Sequence, residues 1–172
     1  MRKRRILLTC MAVPSWCSHF FEEKNMKLVT IHSSVIKLYK RDPEMLLKEK
    51  RPCALIMRLK YKGHNYSFAV PLRSNIAGSA PKETYFPLPP RSSTHSGNRH
   101  GVHYVKMFPV DKSHLIRYRT EGNMFASLIK GILDKNEKQI IRECQDYLDK
   151  YERGIKYSYC TDIDLLLSLI NQ

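Results

Sequence analysis

Two alternating runs lie close together in the middle of the chain. In the first, residues 53–61, Leu55, Met57, Leu59 and Tyr61 fall on one face of an extended strand, while Arg58 and Lys60 point away. In the second, Tyr66, Phe68, Val70 and Leu72 share a face. Between them Lys62-Gly63-His64-Asn65 reads as a turn, with Gly63 free to take positive φ. The two runs predict a long antiparallel hairpin. Before it, residues 27–31 predict a short strand, and Ser33 predicts the cap of a helix that begins near Val35 and ends before Pro43. After it, residues 75–101 have no apolar period and hold Pro87, Pro89 and Pro90, which predicts a loop of unusual length. Residues 102–110 and 114–118 return to strand character. From Asn123 the rhythm becomes helical. Phe125, Leu128, Ile129, Ile132 and Leu133 form one stripe; Ile140, Ile141, Cys144, Leu148 and Tyr151 form a second that stops at Gly154. Thr161 and Asp164 make a capping pair for a last helix over 162–170. Strands first and helices afterwards indicate an α+β fold: a compact, strongly curved antiparallel sheet flanked by helices.

Charge changes the picture. Thirty Lys and Arg stand against 16 Asp and Glu in 172 residues, a formal net charge of +14 and a pI near 9.7. Such an excess points to a polyanionic partner, nucleic acid or an anionic membrane surface. No apolar run approaches the roughly 20 residues that span a bilayer. Hydrophobic content of 42% is enough for one domain with a core. The five cysteines, Cys10, Cys17, Cys53, Cys144 and Cys160, are odd in number and widely spaced, which suggests neither a disulfide framework nor a zinc ribbon. A reducing, cytoplasmic setting fits. The first 25 residues have the basic start and short apolar stretch of a secretory signal, but Cys10 interrupts it and Pro14 and Trp16 follow. Met26 opens a second, well-formed beginning. The expected organisation is therefore an extension over 1–25 and a single domain over 26–172, with a secreted cationic protein as the competing reading.

Candidate chemistry gathers at one end of the hairpin. With the turn centred between Gly63 and His64, partner numbers sum to about 127, so Cys53 is expected to face Ser74 and Ala54 to face Arg73. Lys50 and Arg51 then lie beside Arg73 and Ser74. His64 is roughly 30 Å away at ~3.3 Å per residue and is excluded from that site. Three cations and a hydroxyl suit a phosphodiester: the arginine fork fits phosphoryl oxygens, and a serine donates to them or positions the nucleophile. Cutting RNA without a metal needs a base for the ribose 2′-hydroxyl, charge stabilisation at phosphorus and a proton for the departing 5′ oxygen. His103 is a candidate base if the fold brings it close. Lys27, Arg91, Arg99, Arg117 and Arg119 are candidate backbone contacts, as are Lys106 and His100; Tyr85, Phe86 and Tyr104 are candidates for stacking bases. His95, His100 and His103 lack metal-ligand spacing, and neither a Gly-rich phosphate loop nor a carboxylate cluster is present, so no cofactor is expected. The same basic surface also suits a non-catalytic RNA-binding module.

Three stretches, MKLVTIHSSVIKLY from Met26, RPCALIMRLKYKGHNYSFAVPLRS from Arg51 and HGVHYVKMFPVDKSHL from His100, together resemble the endoribonuclease toxins of type III toxin–antitoxin systems. This is the ToxN, AbiQ, CptN and TenpN group, with the CptN branch nearest in pattern. The resemblance implies a twisted, partly open barrel core of the Kid/MazF type. It implies metal-independent RNA cleavage leaving 2′,3′-cyclic phosphate and 5′-hydroxyl ends, on cellular or phage RNA in phage defence. It also implies a repeated pseudoknot RNA antitoxin that the toxin processes and with which it forms closed complexes. The family places a small hydroxyl pair after the Pro-Leu that ends the second strand; here Pro71-Leu72 precedes Arg73-Ser74, so the serine matches and an arginine replaces the threonine. The family's catalytic lysine precedes the first strand, where this chain has Lys50-Arg51.

Overall fold

The computed structural model describes residues 26–45 and 51–170; the expected extension over 1–25 and Lys50 lie outside the described residues. The hairpin is made by β2 (Cys53–Tyr61) and β3 (His64–Ile76). Its turn is Lys62-Gly63, both left-handed at φ 48° and 80°, the two-residue form whose twist suits antiparallel strands. Tyr61 therefore faces His64, two residues earlier than the Tyr66 expected from the alternation. A bulge between Ile56 and Leu59, with Arg58 at φ 64°, shifts the partners by a third residue. The expected register is corrected accordingly: Cys53 faces Pro71 and Ala54 faces Val70. The bulge also redistributes faces. Ala54, Ile56, Leu59 and Tyr61 enter one core, whereas Leu55 and Cys53 enter the other.

The strands β1 (Met26–Ile31), β4 (Tyr85–Leu88), β5 (Arg99–His103), β6 (Phe108–Pro109) and β7 (Leu115–Arg117) complete an open, wholly antiparallel sheet in the order β4-β5-β3-β2-β1-β7, with β6 also paired to β3. Helices α2 (Met124–Lys135) and α3 (Glu137–Glu152) cover one face through Ile129, Leu133, Ile140, Cys144 and Leu148. Helices α1 (Ser33–Leu38) and α4 (Ile163–Ile170) cover the other through Val35, Ile36, Leu166 and Leu169. The expected α+β architecture is the one observed. Two caps differ. The His32 ring, not Ser33, accepts from the Ser34 amide to start α1. At α4 the Asp162 carboxylate accepts from the Leu165 amide at 3.0 Å, while Thr161 turns its hydroxyl to the Met107 carbonyl.

The long loop expected over 75–101 is broken by β4, a strand too short and proline-marked to show a period. It survives because β5 lies between β3 and β4, so Gly101 faces Arg73 on one side and Pro87 on the other. A Cβ at Gly101 would sit 2.3 Å from the Phe86 carbonyl oxygen and 3.1 Å from the Tyr85 ring. Gly101→Ala is therefore expected to lose about 2 kcal/mol, roughly 6 °C in Tm. A thermal melt unchanged within 1–2 °C, about the scatter of such measurements, would mean that β4 yields without cost.

Candidate active site

At Pro71 strand β3 leaves the hairpin and takes β5 as its partner, with a one-residue slip between Arg73 (opposite Gly101) and Ile76 (opposite Arg99). The Leu72 amide still donates to the Pro52 carbonyl at 3.0 Å, which keeps Arg51 alongside this exit. Beyond Ile76 the chain bends sharply, its Ala80 amide bonded to the Ala77 carbonyl at 2.9 Å. Strand β5 ends at His103 and passes into a 3-10 turn, Tyr104–Lys106. Pro43, Glu44 and Met45 form a second wall, and Tyr157 and Tyr159 of the α3–α4 connection a third. Together they enclose a cavity of about 740 Å3 whose polar lining includes Arg73, Asn75, Asn98, His103 and Lys106.

The electrostatics of this cavity are uneven. Lys106 is 4% exposed, and its ammonium donates to a Glu44 carboxylate oxygen at 2.5 Å and to the Glu44 carbonyl at 2.9 Å, so its charge is paired as burial requires. Arg73 is half-buried. His103 is 2% exposed, and neither ring nitrogen has a hydrogen-bond partner among the described residues. Burial first, then the charges of Arg73 and Lys106, pull its pKa down to about 3. A neutral imidazole with a free donor and a free acceptor thus stands beside a cation in the cavity wall.

Of the residues expected to meet, Arg51 and Arg73 do. Burial and then the Arg73 charge lower the Arg51 pKa, against an opposing effect of Cys53. Arg51 itself lines a neighbouring cleft with Met45, Cys53 and Pro71. Ser74 is half-buried between Arg73 and Asn75, in the slipped part of β3, and does not line the cavity. His64 is at the opposite end of the hairpin.

The expected RNA contacts divide. Lys27, Arg91, Arg99, Arg117 and Arg119 are exposed. Lys27 and Arg117 line a separate cleft of about 600 Å3 beside β1 and β7, together with Lys112 and Lys130. Arg91 lies over the Phe125 ring at 5.6 Å. The stacking reading of Tyr85 and Phe86 is corrected: at 8% and 7% exposed, their rings are occupied by the interior. Tyr104 is fully buried and its hydroxyl donates to Glu143 at 2.5 Å. Lys106 is not a solvated strand cation, because a 3-10 turn carries it inward. His100 is 3% exposed and held 2.6 Å from the Pro89 carbonyl, with burial chiefly and Arg91 next lowering its pKa. Cys53 is buried and its thiol is pushed up to about 12, which makes it inert. Among the described residues no group of His, Cys, Asp and Glu is placed to hold a metal ion, and no helix is long and apolar enough to cross a membrane.

The cavity residues that the sequence did not single out include Asn75, Asn98, Tyr157 and Tyr159. A usable signal existed for two of them: Tyr157 and Tyr159 sit between the Gly154 stop and the Thr161 start, outside every apolar stripe.

No protein-family model matches the chain, and no curated protein matches it in sequence. Solved structures do match. A chain from a bacterial antiviral system regulated by a processed non-coding RNA has a TM-score of 0.59 at 18% identity, covering 83% of this chain and 95% of its own. One from a bacterial type III toxin–antitoxin system, in which a non-coding RNA pseudoknot selectively inhibits the toxin, has 0.61 at 17%, covering 84% and 95%. AbiQ, a lactococcal anti-phage endoribonuclease of a type III system, has 0.62 at 13%, covering 84% and 94%. The likeness is one of fold.

Proposed function

We propose that this chain is an endoribonuclease toxin of a type III toxin–antitoxin system, cutting RNA by internal transphosphorylation without a metal. The observation that carries the reading is the cavity that joins a half-buried arginine, Arg73, to a buried imidazole with no partner, His103. Likeness of fold to an anti-phage endoribonuclease supports it.

In the proposed reaction the Arg73 fork holds the phosphoryl oxygens and Arg51 adds charge from the segment leading into β2. The arriving phosphate offsets the two cations that depress His103, so its pKa climbs towards the usual range and the ring accepts the 2′-hydroxyl proton. The 2′ oxygen attacks phosphorus, the bond from phosphorus to the 5′ oxygen breaks, and that oxygen takes a proton from solvent while His103 gives up the one it accepted, so no net proton is consumed. The products are a 2′,3′-cyclic phosphate and a 5′-hydroxyl, with neither water nor metal consumed. Ser74 adjoins Arg73 along β3 without lining the cavity, so its part is to position that arginine, and Lys50 is the alternative base. The exposed Lys27, Arg91, Arg99, Arg117 and Arg119 hold the backbone of a pseudoknot-repeat RNA antitoxin of the CptN kind, which the toxin processes and joins in a closed assembly in the cytoplasm.

The test is incubation with RNA in excess EDTA, with end-group analysis of the fragments. Cleavage leaving cyclic phosphate is expected, and Ser74→Ala is expected to lower it about tenfold or more while RNA remains bound. RNA that is bound but never cut would establish a binding module instead, and cleavage that EDTA abolishes would remove the proposed chemistry. Binding is also expected to weaken with salt: phosphate contacts from these five cations on a single strand give a log–log slope of about −3.5. A flat titration would contradict the assigned use of the positive charge.

A further inference from the structure

We infer that Tyr157 and Tyr159 form a stacking platform for a purine base in the Arg73–His103 cavity, and so set which RNA sequence is chosen; the inference rests on the nuclease reading above. Both rings line the same cavity as Arg73 and His103. Their centroids are 5.6 Å apart with the planes 37° from parallel, and both are half-buried, neither withdrawn into the interior nor free in solvent.

The pair is held in place. Helix α3 ends at Gly154, whose φ of 85° turns the chain out of the helix. The Cys160 amide donates to the Tyr157 carbonyl at 3.1 Å, and the Thr161 amide donates to the Val105 carbonyl at 3.0 Å. Val105 belongs to the 3-10 turn that carries Lys106, so the platform and the cationic wall are fastened to one piece of backbone. The Tyr157 hydroxyl reaches Glu83 at 3.3 Å, which fixes that ring further. An ordered aromatic pair beside an arginine fork is the arrangement with which single-stranded RNA is read: phosphate on the cation, base on the ring. Stacking tolerates any base but strengthens with ring area, which favours purines.

Other candidates for this task fail on geometry. The rings of Tyr85, Phe86 and Tyr104 are buried, and Phe125 is covered by Arg91. Tyr39, Tyr61 and Tyr104 each spend the hydroxyl inside the fold, on Pro109, Asp164 and Glu143.

The experiment uses fully 2′-fluoro oligonucleotides, which cannot be cut through a 2′ oxygen, so binding is read apart from cleavage. The full chain is expected to bind oligo-A about tenfold more tightly than oligo-U. Replacing each A in turn by an abasic residue is expected to cost about tenfold at one or two adjacent positions. Tyr159→Leu should bind oligo-A about tenfold more weakly and lose the preference, whereas Tyr159→Phe should keep both. Equal affinity for the two polymers, or indifference to every abasic position, overturns the platform in the unaltered protein, even where the leucine variant does not fold. A folded Tyr159→Leu that retains the preference overturns it too. Cleavage of ordinary RNA is scored separately. A purine preference without cleavage leaves the platform standing and removes the nuclease; cleavage without preference does the reverse.

Discussion

Arg73→Ala is expected to lower the rate of RNA cleavage by about 10²–10³-fold, the effect of removing one preorganised charge donor from a transition state. Arg73 is chosen because its charge is felt by both neighbours. It lowers the pKa of Arg51 across the strand and contributes to the depression of His103 within the cavity. Its main chain pairs with Gly101 of β5, so truncating the side chain leaves the sheet its hydrogen bonds. Arg73→Lys should recover part of the loss, since it restores the charge without the two-pronged contact. A second readout separates chemistry from damage. With the Arg73 charge gone, the His103 ring should titrate higher by NMR, though still below its ordinary range, because burial is the larger cause. Cleavage by Arg73→Ala within threefold of the unaltered protein, far short of the expected loss, would dismiss Arg73 from the site.

What the sequence revealed, and what it concealed, has a common cause. Alternation located both hairpin strands and the stripes located α2 and α3, because in each the apolar period is long enough to override local noise. The register did not follow, since it depends on the turn at Lys62-Gly63 and on a bulge at Arg58 that leaves no mark on the hydrophobic pattern. Those three residues of displacement decide that Pro71, not Ser74, faces Cys53. Strand β4 was hidden because its order comes from β5 through Gly101, a long-range contact, and not from its own four residues. The same holds for the site. Arg51 and Arg73 were legible as neighbours across one hairpin. Tyr157 and Tyr159 were not, since only the packing of the α3–α4 connection against the 3-10 turn brings them to the cavity.

The stability of the protein is expected to fall on acidification well before its carboxylates titrate, and His103 is the main cause. An imidazole titrates near 6.5 in the unfolded chain, whereas in the folded protein burial and two cations hold it near 3. Between those values the unfolded state takes up a proton that the folded state refuses, so each step down in pH favours unfolding. The contribution is absent above pH 6.5 and grows to about 2 kcal/mol by pH 5. Asp111 and Asp164, whose pKa values are lowered, act below this window, where protonation removes what their hydrogen bonds and ion pairs contribute. His100 is also lowered by burial and adds in the same direction, but it is present in both proteins of the comparison. Denaturant melts of the unaltered chain and of His103→Gln from pH 7 to pH 5 isolate this contribution: the difference in slope belongs to His103 alone. Parallel profiles would mean that the ring titrates in the fold as it does in the unfolded chain, and that the cavity does not hold it desolvated beside two cations. Divergent profiles that converge when an oligonucleotide phosphate is bound would tie the acid weakness to the catalytic task, because the anion that relieves the one is the substrate of the other.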